Sequence, residues 1–204
     1  MKLTAIFESW HIGDGNYPPL SKGQLVNLSF ELEPRDVEET SLNASDSFEH
    51  LGSGEYRFCG GVIKAYAGED REIVVVFQAG DFRFYVMSYE VGQYIQGQRY
   101  CGEGTLLLDH YYWVEFLSEY ENPPNLFYNL EVSRIKKVKM PERFVARHEQ
   151  GKSLPTRLVP EDYSESDVEE LNTMEGQPFD EEFYIIEFDV YRSEGNGIPR
   201  TFLS

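Results

Sequence analysis

The residues of this chain best equipped for chemistry lie in two short stretches. The first is WHIGDGNYPPLSKG, residues 10–23, in which Trp10, His11, Asp14 and Tyr17 offer an aromatic face, an imidazole, a carboxylate and a phenol. A metal site needs three or four converging ligands, and the DGN segment supplies two oxygens without the rest of a calcium loop. No metal is therefore expected. Gly13 and Gly15 permit left-handed backbone, Asp14 and Asn16 can bond their own backbone, and Pro18-Pro19 stiffens the exit. The stretch reads first as a stiff connection, and second as a contact surface for a ligand or partner through Trp10, His11, Asp14 and Tyr17.

The second stretch is LLLDHYYW, which carries Asp109 and His110. Neighbours along a strand point to opposite faces, so these two do not form a dyad by themselves. Any acid–base work would need partners from elsewhere in the fold. The Ser nucleophile pattern GxSxG is absent. GQRYCGEG lacks the dinucleotide and Walker patterns that would mark a phosphate loop. No catalytic residue and no cofactor is assigned, and the chain reads as a binding protein rather than an enzyme. Cys59 and Cys101 lie in no CxxC pattern, and the expectation is two free, buried thiols in a reducing cytosol.

The elements that must hold these residues are mostly strands. Aromatic residues make up 15% of the chain, with 14 Tyr and 14 Phe, a composition that suits pleated, half-buried surfaces. Leu3, Ala5 and Phe7 alternate with Thr4, Ile6 and Glu8. QLVNLSFELE places Val26, Leu28, Phe30 and Leu32 on one face and Leu25, Asn27, Ser29 and Glu31 on the other. Residues 33–55 lose this alternation and read as a surface connection with a helical turn. Gly60-Gly61 inside YRFCGGVIKAY predicts a bulge or bend. REIVVVFQAGDFRFYVMSYEV predicts a hairpin turning at residues 79–81, its IVVVF strand covered on both faces. Further strands are expected around residues 105–108, 113–117, 126–140 and 181–191. PERFVARHEQG, with Pro141 near its start and Gly151 at its end, predicts a short helix. SESDVEELNTM, with Ser164 or Ser166 as N-cap, predicts another.

The expected fold is mainly β: a small, partly closed barrel or sandwich of about seven to nine strands with two short helices near the C-terminal third. Residues 1–140 form its core, and residues 141–204 add the helices, an acidic segment and a final strand on the same domain. No stretch approaches the roughly 20 apolar residues that span a bilayer. The N-terminus lacks the apolar core of a secretory signal, so a cytoplasmic location is expected.

Charge supplies the clearest functional clue. The net charge is −18, which opposes nucleic acid and anionic membranes as partners. It is unevenly spread, at −7 over residues 31–55, +5 over 131–160 and −12 over 161–194. The C-terminal acids, Glu169, Glu170, Asp180, Glu181 and Glu182 among them, could dock on the preceding basic block or form a surface for a cationic protein partner. The leading expectation is a non-enzymatic acidic binding or inhibitor protein, immunity-like masking of a basic partner being one version. The alternative is a small-molecule-binding barrel or an enzyme of unrecognised type, using the 10–23 loop and the Asp109-His110 region.

Overall fold

A computed structural model describes residues 1–8, 19–67, 73–109, 113, 119–139, 164–171 and 182–191. Eleven strands are present: β1 (Lys2–Glu8), β2 (Leu25–Leu28), β3 (Phe30–Thr40), β4 (Ser47–Gly52), β5 (Glu55–Ala67), β6 (Ile73–Ala79), β7 (Phe82–Ser88), β8 (Arg99–Leu108), β9 (Tyr128–Lys139), β10 (Ser164–Val168) and β11 (Glu182–Tyr191). All belong to one sheet.

Five strands close into a barrel. β3 runs antiparallel to β8, β8 to β5, β5 to β6 and β6 to β7, and a parallel contact of Glu31 with Tyr85 joins β7 back to β3. Alternation fills the interior. Phe30, Leu32, Phe58, Val75, Phe77, Phe84, Val86, Leu106 and Leu108 belong to one buried cluster. Val74, Val76 and Tyr85 point the other way, into a second cluster with Trp113 and Leu126. The IVVVF strand is thus covered on both faces, as its unbroken apolar run requires.

The remaining strands extend the barrel. β1 meets β8 in parallel at Ile6 and Leu107, β11 pairs along the length of β1, and β9 pairs with β11. β2 and β10 share the far side of β9. Leu3, Phe7, Val132, Ile186 and Phe188 join the same core as the barrel interior. Phe30 meets Phe188 edge-on at 6.0 Å, and Phe82 stacks on Tyr128 at 5.0 Å.

Glycines allow the strands to approach this closely. β5 pairs with β8 up to Gly61 and with β6 from Gly61 onward, so it changes partner at the paired glycines. A Cβ on Gly60 would collide with the Gln78 carbonyl oxygen, whereas one on Gly61 would have no atom nearer than 3.9 Å. On β8, a Cβ on Gly104 would lie 2.6 Å from the Glu33 carbonyl oxygen, and one on Gly102 would lie 2.8 Å from Val37.

Several expectations are corrected. Residues 33–55 are not mainly a connection, because β3 continues to Thr40 and β4 follows. The alternation fades because the register slips between Arg35 and Glu38, with Asp36 at φ 49°. Ser164–Val168 is a strand, not a helical start: its acids lie against the basic β9, and cross-strand attraction outweighs a weak capping signal. No helix is found among the described residues, and the helix expected at 141–151 lies outside them. The cysteines are not free. Cys59 and Cys101 are directly opposed across β5 and β8, with Cα atoms 4.0 Å apart, and form a disulfide. They therefore give no support to a reducing compartment. No helix among the described residues is long and apolar enough to cross a membrane.

The two adjacent glycines yield a matched prediction. Gly60→Ala forces the β5–β6 backbones apart and should cost about 1–3 kcal/mol in urea unfolding. Gly61→Ala, with open space around it, should cost far less. Equal losses in the two variants would contradict the close approach described here.

Candidate functional site

Two groupings of charged side chains among the described residues are candidates for a site. The first lies where the barrel closes, outside its inner core. Asp109, just beyond β8, is fully buried. It accepts hydrogen bonds from the Ser29 hydroxyl at 2.5 Å, the Tyr85 hydroxyl at 2.6 Å and the Trp113 backbone N–H at 3.2 Å. Its own N–H donates to the Ser29 carbonyl at 3.1 Å. Ser29 is the break between β2 and β3, and Tyr85 stands on the outer face of β7. Trp113 stacks against Tyr85, with ring centroids 6.0 Å apart. Its buried indole N–H has no hydrogen-bond partner among the described residues.

Glu31 completes this group. It is half-buried, lies in register with Tyr85 and hydrogen-bonds the Tyr85 side chain. Burial, reinforced by the nearby Asp109 carboxylate, pushes its carboxyl up to about 8. Glu33 and Glu8 push in the same direction. At neutral pH the seam therefore holds one protonated carboxyl beside an Asp that receives three donors. Chemically this is a proton donor next to an acceptor, bridged by a phenol, which is the arrangement general acid–base work uses.

The second place is the outer surface of β3 and β8. A shallow groove of about 280 Å³ is lined by Asp36, Glu38, Glu39, Thr40, Arg57, Cys101, Gly102 and Glu103. Arg57 is engaged by Glu103 at 2.7 Å and by Glu49 at 4.0 Å. Among the described residues, Glu33, Asp36, Glu38 and Glu39 are exposed or partly exposed without an ion pair. The C-terminal acids differ. Arg134 meets Asp167 at 2.7 Å and Glu187 at 3.6 Å, Lys136 meets Glu165 at 2.7 Å, and Lys22 meets Glu169 at 3.3 Å. Among the described residues, Glu165, Asp167 and Glu187 thus meet Arg134 and Lys136 of the basic block through β10, β9 and β11. The Arg134 guanidinium holds the Asp167 carboxyl below its usual range.

Of the residues singled out from sequence, Asp109 enters the buried group. Trp10, His11, Asp14, Tyr17 and His110 lie outside the described residues. Register places the ends of β1 and β8 side by side, so the strands that lead into those two segments finish together. Glu169 is paired with Lys22, Glu170 bridges Ser21, and Glu182 opens β11 opposite Lys139. Asp180 and Glu181 lie outside the described residues. Sequence reading passed over Ser29, Glu31 and Tyr85. Ser29 and Glu31 share the polar side of an alternating strand, which period alone places in solvent, and only the closure of β3 onto β7 at Tyr85 buries it. No cluster of three or more metal-ligating side chains occurs among the described residues. Comparison of the chain with protein-family models, curated proteins and solved structures found no match in any of the three.

The raised Glu31 carboxyl predicts a pH signature. The unfolded chain loses this proton near 4.5 and the folded one near 8, so stability falls as pH rises across that window and then levels off. Glu31→Gln removes the loss. Near pH 4 the variant should match the parent, and above pH 8 it should be more stable by about 1–3 kcal/mol. Thermal melts at the two pH values check this; an unchanged pH dependence in the variant would contradict it.

Proposed function

We propose that this chain is a non-enzymatic, acidic binding protein that takes a cationic protein partner on the outer face of β3 and β8. Masking of a basic surface, as an immunity-type inhibitor does, is one version. The supporting observation is the contrast in charge pairing. The described C-terminal acids are largely matched by Lys22, Arg134 and Lys136, whereas Glu33, Asp36, Glu38 and Glu39 on β3 carry no such partner among the described residues. Unmatched carboxylates on one face create a field that speeds encounter with a cation and orients it, and salt screens that field. Thr40 and Gly102, together with the backbone of β3 and β8, give the groove contact surface between the charges.

A rival reading has its own observation. The buried Glu31, Tyr85 and Asp109 group could serve a small molecule or an unrecognised reaction, at a place where the ends of β1 and β8 lie side by side.

One experiment separates the two. The immobilised protein is offered native lysate at low and high salt, alongside Glu38→Lys/Glu39→Lys and Glu165→Gln/Asp167→Asn. The expected result is capture of basic proteins at low salt, lost in the β3 variant and kept in the β10 variant. Equal capture by both variants overturns the proposal. No capture in any arm, together with a small-molecule thermal shift that Glu31→Gln removes, moves the function to the buried carboxyl pair.

A further inference from the structure

The acidic groove reaches Thr40, which pairs with Arg99, and the segments beyond these two residues carry exposed apolar side chains. β3 and β8 stay paired as they approach it, with Glu38 opposite Cys101, Glu39 opposite Tyr100 and Thr40 opposite Arg99. Beyond Thr40 comes Leu42, 62% exposed. Before Arg99 comes the β7–β8 connection, which presents Tyr89 at 71%, Val91 at 84% and Ile95 at 50% exposure. Single exposed apolar residues are ordinary on protein surfaces. Three within one connection, with a fourth on the turn that follows the adjoining strand, are more than scattered single exposures and call for a reason.

The connection is well fastened to the barrel. Tyr94 is buried against Phe77 and Tyr100, each with ring centroids 5.3 Å apart. The Ile95 N–H donates to the Tyr100 hydroxyl at 3.0 Å, and the Gly97 N–H donates to the Val62 carbonyl at 2.9 Å. Ile95 therefore projects from a base tied down at two points, and Tyr89 and Val91 flank a turn in which the Gln93 N–H donates to the Glu90 carbonyl at 3.3 Å. A surface of this kind loses little conformational freedom when it is covered.

We propose that the β3–β8 groove and these apolar segments form one docking surface for a cationic segment that also carries apolar side chains. The inference rests on the acidic-face reading above and adds the apolar requirement to it. Charge selects the occupant. A two-fold symmetric dimer through this face would bring Glu38 and Glu39 against their own counterparts, and an anionic membrane would be repelled by the same groups. A segment with alternating basic and apolar residues fits both parts: its cations lie along Asp36, Glu38 and Glu39, and its apolar side chains cover Val91, Ile95 and Leu42.

Two synthetic peptides of equal length and charge test it, one alternating Lys with Ser and the other Lys with Leu, each titrated against the whole chain by calorimetry. The Lys–Leu peptide should bind at least about tenfold tighter, the gain expected from burying even one large apolar side chain. Val91→Ser/Ile95→Ser should erase that advantage and leave the Lys–Ser affinity unchanged. Leu25→Ser, which alters an equally exposed residue on β2, should change neither. Equal binding of the two peptides, or an advantage that survives in the Val91/Ile95 variant, overturns the apolar requirement while leaving the acidic-face reading intact. Failure of both peptides to bind removes the acidic-face reading itself. A concentration-dependent dimer that the Val91/Ile95 variant abolishes assigns these apolar side chains to a second copy and overturns the inference.

Discussion

β8 is hydrogen-bonded along both edges, and the rest of the architecture depends on that constraint. Over Arg99–Thr105 it lies between β3 and β5, and near Leu107, where β5 has turned away, β1 takes over the vacated edge. The strand therefore belongs both to the closed barrel and to the sheet that extends it. This double role demands close approach, which Gly102 and Gly104 permit by offering no Cβ to Val37 and the Glu33 carbonyl. Side chains reinforce the same junction. Buried Glu55 on β5 accepts the Thr105 hydroxyl of β8 at 2.8 Å and pairs with Arg35 of β3. The Cys59–Cys101 disulfide ties β5 to β8 a few residues away. A buried carboxylate left without Arg35 would be strongly destabilising, so the salt bridge is a condition of this packing more than a source of surplus stability.

The electrostatics follow from this arrangement. Placing β9 between β10 and β11 brings the basic side chains Arg134 and Lys136 against the acids of both neighbours. The largest acidic block in the sequence is to that extent matched by its own chain. Beyond the Arg35–Glu38 slip the nearby bases are engaged elsewhere, Arg99 by Asp46 and Arg57 by Glu103, and among the described residues Glu38 and Glu39 stay exposed without an ion pair. At the opposite end of β3, closure onto β7 removes Glu31 from water and sets it beside Asp109. One strand thus carries two kinds of carboxyl: exposed ones in its outer half, and at its start the half-buried Glu31, whose carboxyl burial pushes up to about 8.

Much of this was legible in the residues. The alternation of Leu3, Ala5 and Phe7, the hairpin around Gly80 and the both-faces burial of Val74–Phe77 follow from period and turn chemistry, whereas at Gly60-Gly61 the strand changes partner and its register slips only after Val62. The losses have specific causes. A bulge at Asp36 hid the second half of β3, because one inserted residue reverses the parity that alternation relies on. Ser164–Asp167 looked like a helix cap because its polar residues favour caps, and nothing local announces a basic strand waiting to pair with it. Ser29 and Glu31 looked wet because a strand's polar side is usually solvated, and burial of that side depends on a parallel contact with Tyr85 more than fifty residues away. Asp109 was noticed for its neighbour His110; its partners in the structure are Ser29, Tyr85 and the Trp113 backbone.

Native-state hydrogen exchange of the β8 amides tests the central claim most directly. If β8 joins barrel and extension into one cooperative body, the amides of Tyr100–Cys101 and those of Leu106–Leu108 should exchange only through global unfolding, with the same opening free energy. Exchange of Leu106–Leu108 through a low-energy local opening, while Tyr100–Cys101 stays protected, would show that the extension detaches on its own and would contradict the account.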